Sequence, residues 1–172
     1  METLANLLSM DFMVSFVNDT AWVWPICEMF HFIGMALLIG TVGFLDVRIL
    51  GFGKGVPIAA LAPLIPFGIA GFVMNAVTGF VFVTGNPVGG PMAYLGNLAF
   101  QIKMILILIA GINLIAFYFA GISRAAEAVP ADGEAPGSAK LIAATSLLLW
   151  FGVIFFGRLI MYNDTLLYAL GR

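Results

Sequence analysis

The sequence has few charged residues. Asp, Glu, Lys and Arg make up only 9% of its 172 residues, whereas hydrophobic residues make up 62%. A soluble domain of this size cannot bury so much apolar surface, so the composition excludes an ordinary soluble protein and indicates an integral membrane protein. The net charge is −2 and the sequence contains no basic run, so nothing indicates a nucleic-acid partner.

The sequence is equally short of metal-binding side chains, with one cysteine, Cys27, and one histidine, His31. A single cysteine excludes a disulfide within the chain and a zinc site built from several cysteines. A single histidine excludes haem ligation by two histidines of the same chain.

Four stretches are long and apolar enough to cross a bilayer, which takes about 20 residues. They cover about residues 22–45, 61–83, 98–120 and 141–162. Before them, residues 1–20 carry apolar side chains at helical spacing, which predicts a short helix in the membrane interface. The predicted fold is therefore all-α: one membrane domain over residues 1–172, built as a four-helix bundle with an N-terminal interfacial helix.

Lysine and arginine are concentrated in two connections between the spans. Arg48 and Lys54 lie in the first connection, and Arg124 and Lys140 lie in the third. The positive-inside rule therefore predicts that these two connections face the cytoplasm and that both termini lie outside. The third connection, residues 123–140, is rich in Ala, Pro and Gly and is expected to be an exposed loop.

Four ionisable side chains lie inside the predicted spans: Glu28, His31, Lys103 and Arg158. Such groups are costly in hydrocarbon and often mark a functional site. Glu28 and His31 are three residues apart, so they share a helix face. At a rise of about 1.5 Å per residue, Glu28, Lys103 and Arg158 fall at similar depths in the outer half of the membrane. The sequence predicts one site that gathers these side chains from three helices.

Structural alternatives exist for the same residues. Lys103 and Arg158 can snorkel to water or lipid phosphate, or form with Glu28 an ion-pair network that fixes helix packing. His31 can be a neutral imidazole that is hydrogen-bonded to a neighbouring helix instead of a cofactor ligand.

Several motifs of the chain resemble a known group of proteins. They are W-x-W-P-x-x-E-x-x-H-F-x-G (Trp22 to Gly34), L-D-V-R-I-L-G (Leu45 to Gly51), N-x-A-F-x-x-K (Asn97 to Lys103), A-G-x-N (Ala110 to Asn113) and S-L-L-L-W-F-G-V-x-x-x-G-R-x-I-x-Y (Ser146 to Tyr162). The chain resembles a family of uncharacterised four-helix bacterial inner-membrane proteins. That family is distantly similar to the CopD-like copper-resistance membrane domain and to the HemJ-type protoporphyrinogen oxidase.

The resemblance implies a multi-pass protein of the bacterial inner membrane, with both termini in the periplasm. It also implies the handling of haem b or copper, with His31 and Lys103 at the matching positions. A second histidine of the resembled family would fall near Tyr118, and this chain lacks it. A haem would then bind His31 alone, His31 with a methionine, or His31 with a histidine of another subunit. Copper at His31 and Met35, with Cys27 nearby, ranks below haem.

The favoured hypothesis is a small inner-membrane protein with a haem- or metal-type redox site in its periplasmic half. His31 would ligate haem, and Lys103 and Arg158, with Glu28 beside them, would hold the haem carboxylates. The sequence does not decide whether the protein is an enzyme.

Two other functions compete with this hypothesis. The first is a non-catalytic accessory subunit that packs in the lipid bilayer against other membrane subunits or against itself, and the missing second histidine favours it. The second is a proton- or ion-translocating protein that uses Glu28 and His31 as a relay. It ranks last because the cytoplasmic half offers only three polar side chains for a path: Thr41, Asp46 and Asn113.

Overall fold

The regular structure of this protein is helical. The structure, a computed structural model, describes residues 2–171, and within that range it contains helices and turns and no strand. Four segments are long and apolar enough to cross a membrane: Val23–Ile49, Ile58–Thr84, Leu98–Phe119 and Gly137–Ala169. The predicted all-α class and the four apolar helices are confirmed, and the chain is a membrane protein.

The N-terminal segment is helical, as predicted, and it is divided into two short helices. The α-helices are α1 (Glu2–Leu8), α2 (Asp11–Asp19), α3 (Val23–Ile49), α4 (Ile65–Thr84), α5 (Met92–Leu95), α6 (Leu98–Phe119), α7 (Ile122–Glu127), α8 (Gly137–Leu159) and α9 (Asn163–Ala169). The break between α1 and α2 falls where Met10 adopts an extended backbone. Asp11 then begins α2 with a negative charge in its first turn, which favours a new helix start there.

Two predicted span boundaries shift for identifiable backbone reasons. The first span continues to Ile49, beyond the predicted end at residue 45, and the chain turns at Gly51, whose φ is 108°. The second span begins as a 3-10 helix, Ile58–Leu64, before α4. Pro63 and Pro66 lack the amide hydrogen that a regular α-helical ladder needs, so the tighter turn precedes the α-helix.

The long helices pack as two hairpins. Helix α3 packs along α4, α6 packs along α8, and contacts between α3 and α8 join the two pairs. Within the described part of the chain, α4 and α6 have almost no contact with each other. The bundle is therefore open along the side between α4 and α6.

The first hairpin depends on a close backbone approach at Gly34 of α3 and Gly71 of α4. A Cβ added at Gly34 would lie 2.5 Å from the Asn75 side-chain nitrogen and 2.9 Å from the Gly71 carbonyl oxygen. A Cβ added at Gly71 would lie 2.6 Å from the Gly34 carbonyl oxygen. Only glycine permits such contact, which is a common device for packing membrane helices.

One end of the bundle, here called the basic end, carries the two connections with Arg48, Lys54, Arg124 and Lys140. The largest cluster of buried apolar residues lies at this end and contains Ile49, Ile58, Phe117, Ala126, Ala135, Ala139 and Ala143. Residues 123–140, predicted to be an exposed loop, are mostly exposed, but Ala126, Ala135 and Ala139 are buried and the two ends of the segment are helical. The alanines of this segment pack against the helix ends because their small side chains allow close contact.

Ionic contacts also hold the basic end together. Lys54 and Lys140 lie 2.8 and 2.9 Å from the Glu134 carboxylate oxygens, and hydrogen bonds from both lysines lower the pKa of Glu134 to about 2. The Asp132 amide donates to the Lys54 carbonyl at 2.7 Å. Since the Glu134 side chain is 61% exposed, the main effect of these contacts is to join the first and third connections, and they add little stability.

The glycine contact gives a direct stability test. Gly34→Ala places a methyl group against Asn75 and the Gly71 backbone, so we expect a loss of about 1–3 kcal/mol in the free energy of unfolding. The control is Gly40→Ala on the same helix, where an added Cβ meets no atom within 4 Å. Thermal melting in detergent should show a lower midpoint for Gly34→Ala alone. Equal midpoints for the two variants would contradict the close approach.

Candidate functional site

His31 is the side chain around which the candidate site is built. It lies three residues before Gly34 on α3, where the close packing of α3 and α4 brings its ring against the neighbouring helix. The ring Nδ1 atom is 2.7 Å from the Thr78 hydroxyl oxygen. The Phe82 ring lies 5.3 Å from the imidazole centre, and a Cβ added at Gly79 would lie 3.9 Å from the ring carbon Cε1.

The hydrogen bonds of Thr78 determine which ring nitrogen of His31 carries the proton. The Thr78 hydroxyl donates its single hydrogen to the Met74 carbonyl oxygen, at 2.7 Å. A carbonyl oxygen only accepts, so the hydroxyl has no hydrogen left for the imidazole and must accept one from Nδ1. The neutral ring is thus protonated at Nδ1 and carries a free lone pair at Nε2. This is the tautomer in which a histidine binds a metal through Nε2.

Lys103 brings a positive charge to the same region from α6. The Lys103 ammonium group is close enough to interact electrostatically with the His31 ring. The lysine side chain lies against α8, where a Cβ added at Gly157 would be 3.5 Å from Nζ. Among residues 2–171, no carboxylate lies within ion-pair distance of Lys103. The imidazole packs against α4 and the lysine side chain against α8, and the described chain supplies no counter-charge to Lys103.

Asn97 fixes the start of α6, and with it the depth of Lys103. The Asn97 side-chain oxygen accepts from the Phe100 amide at 3.1 Å, which caps the helix, and its nitrogen donates to the Ile160 carbonyl at 2.9 Å. The Leu98 amide in turn donates to the Asn163 side chain at 3.0 Å. These bonds tie the beginning of α6 to the end of α8.

Glu28 binds within its own helix. The Trp24 indole donates to the Glu28 carboxylate at 3.0 Å, one turn earlier on α3. Burial raises the pKa of Tyr94 in α5, and the negative charge of Glu28 adds to that shift. Glu28 itself is exposed on the surface of the chain. The carboxylate therefore lies at the rim of the site, between Trp24 and the region of Tyr94.

Arg158 is also exposed, and its guanidinium lies 5.6 Å from the centre of the Tyr162 ring. Within the described residues, Glu28 forms no ion pair with Lys103 or Arg158. The ion-pair network considered from the sequence is thus absent. The structure brings Lys103 near His31, whereas Glu28 and Arg158 each have a local aromatic partner.

Comparison with protein-family models, with curated proteins and with solved structures gives no match. The resemblance to four-helix inner-membrane proteins remains a prediction.

Neither the metal hypothesis nor a closed pocket gains support from the surroundings of His31. The described residues contain no group of three or more His, Cys, Asp and Glu side chains that could hold a metal ion. Two surface hollows lie elsewhere, one bordered by Tyr118 and Arg124 and the other by residues 160–165. A ligand of His31 would therefore bind at an open side of the bundle.

Sequence reasoning missed the two residues that orient the imidazole, Thr78 and Phe82. Thr78 lies beside Gly71, Asn75 and Gly79, small and polar residues at four-residue steps whose pattern is typical of helix packing. A hydroxyl inside an apolar span was a signal that a polar partner lies nearby. Its pairing with His31 depends on the rotation of α4, which the hydropathy pattern does not reveal.

The contacts of Glu28 can be tested by double-mutant cycles. Since Glu28 and Lys103 are not paired, the cycle of Glu28→Gln with Lys103→Met should give a coupling below about 0.5 kcal/mol. A second cycle of Glu28→Met with Trp24→Phe removes the hydrogen bond from the indole, because Met offers no oxygen acceptor, and should give about 1 kcal/mol. The free energies come from unfolding in detergent. A larger coupling for the lysine than for the tryptophan would contradict the arrangement.

Proposed function

We propose that this protein binds a haem-type cofactor through His31, in the half of the bundle away from the basic end. By the positive-inside rule, the basic end would face the cytoplasm and the site would lie in the periplasmic half of a bacterial inner membrane. The cofactor would supply one-electron redox chemistry. The protein would supply an axial ligand, charges for the cofactor's carboxylates, and an apolar environment.

The hydrogen bond between His31 and Thr78 carries this proposal. It leaves Nε2 unprotonated, so the imidazole can ligate iron without first losing a proton. It also fixes the orientation of the ring, so less side-chain entropy would be lost when a cofactor binds. Every neutral imidazole leaves one ring nitrogen unprotonated, and the Thr78 contact places that free nitrogen at Nε2.

The uncompensated cations support a ligand that carries carboxylates. Among residues 2–171, neither Lys103 nor Arg158 forms an ion pair with an acid. Arg158 instead lies over the Tyr162 ring. Haem b carries two propionate groups, and charge-assisted bonds to basic side chains would neutralise them. The open side between α4 and α6 gives a large flat ligand a way in from the bilayer.

Titration of the purified protein with haemin tests this proposal. The wild type should develop a sharp Soret band at a one-to-one ratio, and His31→Ala should lose it because the iron ligand is gone. Gly40→Ala, at an uncrowded position of the same helix, is the control for general effects of substitution. Identical spectra of the wild type and His31→Ala would refute the proposed ligation.

The role of Lys103 can be separated from that of the iron ligand. Lys103→Met should weaken haemin binding by about tenfold or more, since a hydrogen bond to a charged group contributes about 1.5–3 kcal/mol. The dimethyl ester of haemin lacks the carboxylates, so its affinity should be the same for wild type and Lys103→Met. An equal loss of affinity for both ligands would contradict the carboxylate contact.

A second candidate function is a non-catalytic subunit of a larger membrane complex. Only 11–28% of the residues in the four apolar windows are buried within the chain, so most of their surface is available to lipid or to other subunits. This function predicts no retained cofactor and a stability that depends on the partner. Size measurement of the complex extracted in mild detergent, together with its haem content, separates the two functions.

A further inference from the structure

A second polar centre lies at the basic end of the bundle, far along α3 from His31. Asp46 is only 6% exposed, and its carboxylate oxygen Oδ2 is buried without a hydrogen-bond partner within the described chain. The carboxyl group is hydrogen-bonded by the hydroxyl of Ser146 on α8, which is itself buried. A buried acid with one unsatisfied oxygen requires an explanation.

Within residues 2–171, no cation pairs with this acid. Two residues further along α3, Arg48 donates from Nε to the Val56 carbonyl and from a terminal nitrogen to the Lys54 carbonyl, at 3.3 Å in the second case. Its other terminal nitrogen, Nη1, is buried without a hydrogen-bond partner within the described chain, and residues i and i+2 do not face each other on a helix. Among residues 2–171, no basic group lies within ion-pair distance of the Asp46 carboxyl.

The helices that pack against α3 offer no substitute for the missing cation. The segment Ile58–Thr84 contains no titratable side chain at all. Helix α2 contributes only acids, Asp11 and Asp19. On α8 the charged residues are Lys140, which pairs with Glu134 2.9 Å away, and Arg158, which lies at the opposite end.

The geometry points to a proton as the missing partner, and we propose that Asp46 is a proton-binding site. An ionised carboxylate without a counter-ion is costly in a buried, apolar setting, whereas the neutral acid carries no charge and can donate its proton to the Ser146 hydroxyl. A metal cation would require several oxygen ligands, and the structure supplies one carboxyl and one hydroxyl. The site is thus a neutral carboxyl group held between α3 and α8.

The position of Asp46 gives this proton a short route to water at the basic end. Asp46 lies three residues before the end of α3 at Ile49, which is roughly 5 Å along the helix axis. Proton exchange would therefore occur with the side of the membrane that carries Arg48 and Lys54. The site is separate from His31 and does not depend on cofactor binding there.

Labelling with dicyclohexylcarbodiimide tests the proposal on the intact protein in lipid vesicles. A neutral carboxylic acid transfers its proton to a nitrogen of this apolar reagent. The carboxyl oxygen then forms a bond to the central carbon of the carbodiimide. Peptide mass spectrometry should find Asp46 modified near neutral pH. Glu134, which is held ionised by two lysines, is the internal control and should remain unmodified.

Two results would overturn the proposal. One is a wild-type protein in which Asp46 stays unmodified while the intact chain is folded. The other is a large drop in the melting midpoint of Asp46→Asn, because an amide has the shape and neutrality of the protonated acid and should be tolerated. The expected outcome is an unchanged midpoint for Asp46→Asn together with loss of the label at that position.

Discussion

The close approach of α3 and α4 at Gly34 and Gly71 is the constraint on which the candidate site depends. The two backbones meet there with no room for a side chain. In an antiparallel pair, that contact fixes which residues face each other on the neighbouring turns. His31 thereby meets Thr78. The Thr78 hydroxyl donates its hydrogen to the Met74 carbonyl oxygen and accepts the Nδ1 proton of the His31 ring.

The two ends of the bundle are held together by different interactions. At the basic end, small and apolar side chains form a packed core, and Glu134 joins two connections through lysines. At the opposite end, the polar bonds of Asn97 tie α6 to α8, but α4 and α6 stay apart.

Much of the fold was predictable because it follows from hydropathy, whereas the site was not. The number of apolar helices and their approximate ends were clear from the sequence, and errors arose where a glycine or proline set the local backbone. The shared site of Glu28, Lys103 and Arg158 was predicted only from their similar depths in the membrane. Depth does not determine rotation about the helix axis, and rotation directs Glu28 to Trp24 and Arg158 to Tyr162. Asp46 was placed outside the first span, so its burial against Ser146 could not be foreseen.

The central claim is that His31 presents an unprotonated Nε2 because Thr78 accepts the proton of Nδ1. Since the sequence has one histidine, nitrogen-15 NMR of protein labelled at histidine gives a single pair of ring signals. The account predicts a protonated Nδ1 and an unprotonated Nε2 in the wild type, with that preference lost in Thr78→Val. A proton found on Nε2 of the wild-type imidazole would contradict it.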